Sequence, residues 1–230
     1  MDDQTIKANI AALLKRVRLS AEKSQRVNPD ILVLAVSKNH TSEAVKAAYS
    51  CGLRDFGENY LQEALAKIDA LSTVSIRWHF IGPIQSNKTR AIAENFDWVH
   101  TADREKIVRR LSDQRPQSLP DLNLCLQVNI SGEESKSGVT MGELPDLVKA
   151  TINLPRVTLR GLMAIPAPSN DRKTQESAFA TLREAFEAAQ SIAPSMDTLS
   201  MGMSNDMEAA IAQGSTIVRI GTAIFGPRNG

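Results

Sequence analysis

Along the chain, short apolar or β-branched runs alternate with longer stretches in which apolar residues recur every three or four positions. The short runs lie at 31–36 (ILVLAV), 53–56 (LRDF), 77–81 (RWHFI), 97–100 (DWVH), 122–130 (within DLNLCLQVNI, 121–130), 157–164 (VTLRGLMA), 197–201 (DTLSM) and 216–220 (TIVRI), and each reads as a strand. Helical patterns occupy 42–51, 59–71, 86–95, 103–114, 141–153, 172–192 and 205–213, and a long amphipathic one, MDDQTIKANIAALLKRVRLSAEK, precedes the first strand. Polar openings support two of these helices: Thr41-Ser42 ahead of EAVKAAY, and Thr101-Ala102-Asp103 ahead of REKIVRRL. Parallel strands need helical crossovers, and the order supplies one between each pair. The expectation is an α/β chain forming a single domain, residues 1–230, closed as a (β/α)₈ TIM barrel with an extra N-terminal helix. An open doubly wound sheet uses the same alternation. However, no GxGxxG or GxxxxGK[ST] follows the first strand, so a dinucleotide or P-loop version of it has no support.

Composition narrows the function more by exclusion than by suggestion. The 230 residues are 42% apolar and 23% charged, with a formal charge of +1, so nothing overall favours nucleic acid or an acidic membrane. No apolar stretch approaches the roughly 20 residues that cross a bilayer. Cys51 and Cys125 have neither metal-ligand nor disulfide-framework spacing. The expectation is a soluble cytoplasmic protein without a metal site.

In a barrel of this type the functional mouth is built at the C-terminal ends of the strands. There the sequence places Lys38, Gly57-Glu58-Asn59-Tyr60, His79 with GPIQSNK after it, His100-Thr101, Asn129 with Ser137-Gly138, Met163, SMGMSND (200–206), and Arg219 with Gly221-Thr222. SMGMSND and RIGTAIFG follow the last two strands, where barrels recurrently seat phosphate on backbone N–H groups and hydroxyls. A lysine facing a phosphate seat suggests an aldehyde that carries a phosphate, captured as a Schiff base. Pyridoxal 5'-phosphate fits that description, and a sugar-phosphate aldolase is the rival chemistry.

The motifs AVSKNH, DFGENYLQE, WHFIGPIQSNK, VNISGEESKSGV, LRGLMAIP, LSMGMSNDMEAAI and VRIGTAIFG, in that order, resemble the YggS/PROSC-type pyridoxal phosphate homeostasis proteins. The likeness runs from about residue 30 onward and is faint in 114–121, 165–172 and the first 25 residues. That family is similar to the barrel domain of alanine racemase standing alone, the fold-type III arrangement of pyridoxal phosphate proteins. The resemblance implies that Lys38 holds the cofactor as an internal aldimine. It also implies that Asn59 and His79 line the ring or its hydroxyl side, and that Ser204, Gly221 and Thr222 bind the phosphate. Arg219 then points at the pyridine nitrogen. A guanidinium only donates, so this would leave the nitrogen unprotonated and the ring a poor electron sink.

Racemisation requires a base on each face of the α-carbon. The tyrosine that serves one face in racemases comes from a separate domain that this sequence does not contain, and Tyr49 and Tyr60 read as packing and wall residues. His79 and His100 remain candidate bases, though strand histidines are more often fixed in place. The expectation is therefore a monomer that binds pyridoxal phosphate and serves its homeostasis or delivery to apo-enzymes, with no catalytic residue assigned. A racemase or another pyridoxal phosphate enzyme is the alternative. Lys136, in the loop SGEESKSGV, is a second amine that would hold cofactor in transit if the loop folds over the mouth.

Overall fold

The structure, a computed structural model, describes residues 3–25, 31–133 and 137–227. A long helix, α1 (Asp3–Lys23), leads into β1 (Leu32–Val36), α2 (Ser42–Ser50), β2 (Asp55–Glu58), α3 (Leu61–Ala70), β3 (Arg77–Phe80), α4 (Thr89–Asn95) and β4 (Trp98–Ala102). The chain continues through α5 (Glu105–Gln114), β5 (Leu122–Gln127), α6 (Leu144–Ile152), β6 (Val157–Met163), α7 (Arg172–Gln190), β7 (Thr198–Ser200), α8 (Met207–Ala212), β8 (Ile217–Ile220) and α9 (Thr222–Phe225). All neighbouring strands pair in parallel, and β8 returns to β1, closing the eight-stranded barrel that the alternation predicts.

Side-chain alternation along the strands divides the interior in two. Residues such as Val33, Ala35, Phe56, Leu124, Leu162 and Val218 face the helices and merge with their apolar stripes into the main core. Leu34, Trp98, Cys125, Met163 and Ile217 form a smaller second cluster, with Leu32 and Ile81 against it, that fills the lumen. The helix α1 buries a row of Ile6, Ile10, Leu13, Val17 and Ala21 and packs on α2, α8 and α9, beside the β1–β8 seam.

Several boundaries differ from the sequence reading, each for a local reason. The second strand runs 55–58 rather than 53–56, because its ladder with β3 opens only at Asp55↔Arg77 and continues to Glu58↔Phe80. Glu58 is thus a strand residue, not a mouth residue. Thr41 caps α2 as expected, accepting from the Ala44 N–H at 3.4 Å. The Thr101–Asp103 segment does not cap α5: Arg104 holds the cap position without a side-chain bond, and the Thr101 hydroxyl instead donates to Gly82 O at 2.6 Å. The helix after β7 begins at Met207, later than Ser204 or Asn205. The short α9 interrupts what reads as loop.

Candidate functional site

Lys38 is half-buried in the turn after β1. Its two neighbours are held from behind by α3. Lys67, only 5% exposed, donates to Ser37 O (2.7 Å), Glu58 Oε1 (2.7 Å) and Glu63 Oε1 (2.6 Å). The Asn39 N–H donates to the same Glu63 oxygen at 2.7 Å, and the Ser37 hydroxyl donates to Glu58 Oε1 at 2.6 Å. Asn39 sits at φ 63°, a left-handed turn that asparagine tolerates better than most residues. Both peptide units flanking Lys38 are therefore anchored. Burial pushes the Glu58 carboxyl above its ordinary range, with Lys67 pulling the other way.

Arg219, 5% exposed, lies on β8 directly opposite Leu34 of β1. Its Nη1 donates to Ser200 O (2.6 Å) and Ser200 Oγ (3.0 Å), and its Nη2 donates to Ala164 O (2.9 Å). Those bonds engage three of the five guanidinium hydrogens and leave Nε–H and one Nη2 hydrogen. Burial draws its pKa down to about 10, opposed by Asp206 and Cys125, so it stays cationic at neutral pH.

A polar chain continues from Arg219 into the lumen. Ser200 Oγ lies 2.8 Å from His100 Nδ1, His100 Nε2 lies 2.9 Å from His79 Nδ1, and His79 Nε2 lies 3.0 Å from Asp55 Oδ1. Both histidines are fully buried, and the His79 ring stacks on Trp98 at 5.4 Å and 7°. Arg77 closes the chain at the opposite end of the barrel with a two-pronged contact to Asp55 (2.7 and 2.6 Å). Burial lowers the pKa of His79 against the pull of Asp55; for His100, burial and then the charges of His79 and Arg219 push it well down.

The remaining candidates ring the mouth. Asn59 follows β2, and its Oδ1 is buried without a partner. Gly82 passes so close that an added Cβ would sit 2.0 Å from Asn59 O, so this rim tolerates no side chain there. Ser204 is in the turn before α8, which Asp206 shapes by accepting the Met203 N–H at 2.5 Å. Gly202 has φ +96°, and a Cβ there would lie 2.5 Å from the Ala210 Cβ. Gly221 and the exposed Thr222 open α9, beside Val36 of β1.

The fold thus brings Lys38, Arg219, Gly221, Thr222 and Ser204 to adjacent strand ends across β7, β8 and β1, with Asn59 on the next strand round. His79 is set deeper and connects to the mouth only through His100 and Ser200. Lys136 lies outside the described residues. Tyr60 caps α3 and is 55% exposed, whereas Tyr49 packs under the Arg54 guanidinium at 4.0 Å. A cleft of 410 Å³ lies beside this mouth, between Asp3, Glu43, His40 and Phe225, and its acidic lining suits no anion. Sequence reasoning missed Asp55 and Lys67, and read Glu58 as a rim residue rather than the buried partner of Lys67. The available signals were an acid inside a strand run and a lysine at the 61/64/67 position of a helix whose stripe is otherwise Leu61 and Ala64.

The geometry is that of a (β/α)₈ barrel with a lysine just past its first strand and a buried arginine on its last. Residues 3–229 match the family described as alanine racemase, N-terminal domain. The pyridoxal phosphate homeostasis protein of Pseudomonas aeruginosa is 56% identical over 225 residues, covering 98% of this chain and 96% of that protein. The one from Escherichia coli is 50% identical over 224 residues, covering 96% of each. The structure of PipY from Synechococcus elongatus with PLP bound has a TM-score of 0.81 at 34% identity, over 96% of this chain and 100% of that one. The chain belongs to the pyridoxal phosphate homeostasis proteins of the alanine racemase N-terminal domain family, as the motif order implied.

Proposed function

We propose that this protein binds pyridoxal 5'-phosphate at the barrel mouth and holds it for delivery, without robust turnover of its own. The observation that carries this reading is the pairing of β1 with β8, which sets Lys38 and Arg219 on one side of the barrel. Arg219 is level with Leu34, and Lys38 follows in the turn just past the end of β1. The residues fit the ligand in other respects as well. Arg219 keeps two N–H donors, Asn59 Oδ1 awaits a partner, and the turns at Ser204 and Gly221-Thr222 offer hydroxyls and amides to a phosphate.

When bound, the ligand supplies an aldehyde that an amine can capture reversibly and a phosphate that anchors it. Lys38 provides the amine, held at a fixed depth by the Lys67–Glu63 clamp on both neighbours. Arg219 donates toward the ring nitrogen and keeps a proton off it, which discourages carbanion chemistry. His79 forms part of the supporting wall through His100 and Ser200. Both cysteines are free thiols, in keeping with the cytoplasm.

The test is borohydride reduction of the protein loaded with the cofactor, followed by peptide mapping. The expected adduct is on Lys38, and Lys38→Ala should lose the bound chromophore. An adduct elsewhere, or undiminished colour in Lys38→Ala, refutes the reading. Exchange of amino-acid α-protons in deuterated water by the loaded protein at enzymatic rates would favour the racemase alternative.

A further inference from the structure

The polar chain inside the barrel leaves little freedom for its protons. Asp55 is an acceptor: burial pushes its carboxyl up, but the bonds from His79 and Arg77 outweigh this and hold it below its ordinary value. His79 must therefore donate from Nε2. With His79 neutral, its Nδ1 is an acceptor, and His100 must donate to it from Nε2. His100 Nδ1 is then an acceptor, so the Ser200 hydroxyl donates to it and turns its lone pairs toward Arg219. From the Ser200 hydroxyl to His79 Nε2, each donor has one hydrogen to give and each imidazole acceptor one bond to receive.

We propose that Asp55 is a positioning residue for Arg219. It acts across the barrel through His79, His100 and Ser200, by fixing four hydrogen bonds that all run from the guanidinium toward the carboxylate. The chain begins on the first residue of β2 at the far end of the lumen and crosses β3, β4 and β7 to β8. It polarises Ser200 so that only oxygen faces Arg219, and it bars the Ser200 hydroxyl from donating into the mouth. Arg219 therefore meets a ligand as a cation in a set plane with its two remaining N–H groups forward. The charged and titratable groups facing the chain are Arg77 and Asp97 at the His79 end, and Asp206 and Cys125 at the Arg219 end. A competing arrangement, with His79 doubly protonated, would reverse the bonds between His79 and Ser200 and free the hydroxyl hydrogen.

This inference rests on the reading of Arg219 as a contact to the ligand, and its first test does not. The chain has three histidines, so ¹⁵N spectra of the cofactor-free protein can be assigned by difference. Both His79 and His100 should show neutral rings protonated on Nε2, unchanged across about pH 6–8. A doubly protonated His79, or Nδ1–H on either ring, overturns the proposal.

The second test is a double-mutant cycle on pyridoxal phosphate binding, read by titration and by the absorption of the bound ligand. Asp55→Asn should weaken binding about tenfold, the weight of one hydrogen bond, and shift the absorption band. In a Ser200→Ala background, where Arg219 keeps both backbone carbonyl contacts, the same change should have less than about a twofold effect. An equal effect in both backgrounds overturns the proposal. Should Asp55→Asn not fold, Ser200→Thr must retain wild-type affinity and absorption while Ser200→Ala loses about tenfold, and indistinguishable behaviour of that pair overturns it as well. Retention of ligand by Lys38→Ala would sink the binding site and leave the histidine spectra as they are.

Discussion

Lys67→Met probes how Lys38, the residue proposed to hold the ligand, is positioned. The substitution keeps the length of the side chain and removes an ammonium that donates to Ser37 O, Glu58 Oε1 and Glu63 Oε1. Glu58 has no exposed surface, so its carboxylate keeps only the Ser37 hydroxyl, and its Oε2 already has no partner. Removing one partner of a buried ion pair costs about 3–5 kcal/mol. Glu63 is more exposed and adds little to that. At about 2–4 °C per kcal/mol for a chain of this size, melting should fall by roughly 6–20 °C.

The pH dependence gives the sharper check. Burial raises the Glu58 pKa above the ordinary 4.5, and Lys67 limits the rise, so the variant's pKa climbs further. A carboxyl raised in the folded state stabilises fully below its unfolded pKa, and that contribution disappears as pH rises through the folded value. The variant's deficit should therefore be small at acidic pH, where Glu58 is protonated in both folded proteins, and widen as pH rises from the wild-type folded value to the variant's higher one. Urea unfolding followed by fluorescence of Trp78 and Trp98, at acidic and mildly alkaline pH, measures it. A deficit below about 1 kcal/mol, the range of an exposed pair, would refute the reasoning, as would one equal at both ends.

Gly202→Ala should destabilise by about 1–3 kcal/mol from its positive φ alone and weaken ligand phosphate binding by displacing α8 from Ala210; denaturation and titration with pyridoxal phosphate check the two effects. Arg115→Met should cost roughly 3 kcal/mol in urea unfolding with ligand affinity unchanged, because Arg115 donates to Ala93 O, Phe96 O and Pro120 O far from the mouth. Burial pushes the Cys125 thiol up to about 12, so a thiol reagent should modify Cys51 in the native protein and Cys125 only after unfolding.

The barrel was legible because its strands and crossover helices carry their periods openly, and eight runs leave few other closures. Lys38, Asn59, Ser204, Arg219, Gly221 and Thr222 could be placed near one rim because a barrel confines strand ends to a face. Strand limits were less readable where a glycine sits inside the ladder. Gly57 reads as a strand end, yet its missing side chain makes room for Leu34 and Ile81 in the lumen, and the ladder continues through Glu58. The clamp and the lumen chain were not legible at all. Lys67 and Glu58 meet only because α3 packs behind β2, and Ser200 meets His100 only across the closed barrel, at a separation of 100 residues. Contacts of that kind depend on closure, which no local period encodes.

Helix α1 has a consequence for biosynthesis. Its row of Ile6, Ile10, Leu13 and Val17 finds part of its cover on α8 and α9, which are synthesised only after β1 to β7. At about 5–20 residues per second, the nascent chain must carry that greasy stripe for roughly 10–40 s before its full shelter exists. Only α2 can screen it meanwhile, which makes this helix the segment on which a holdase would act during translation.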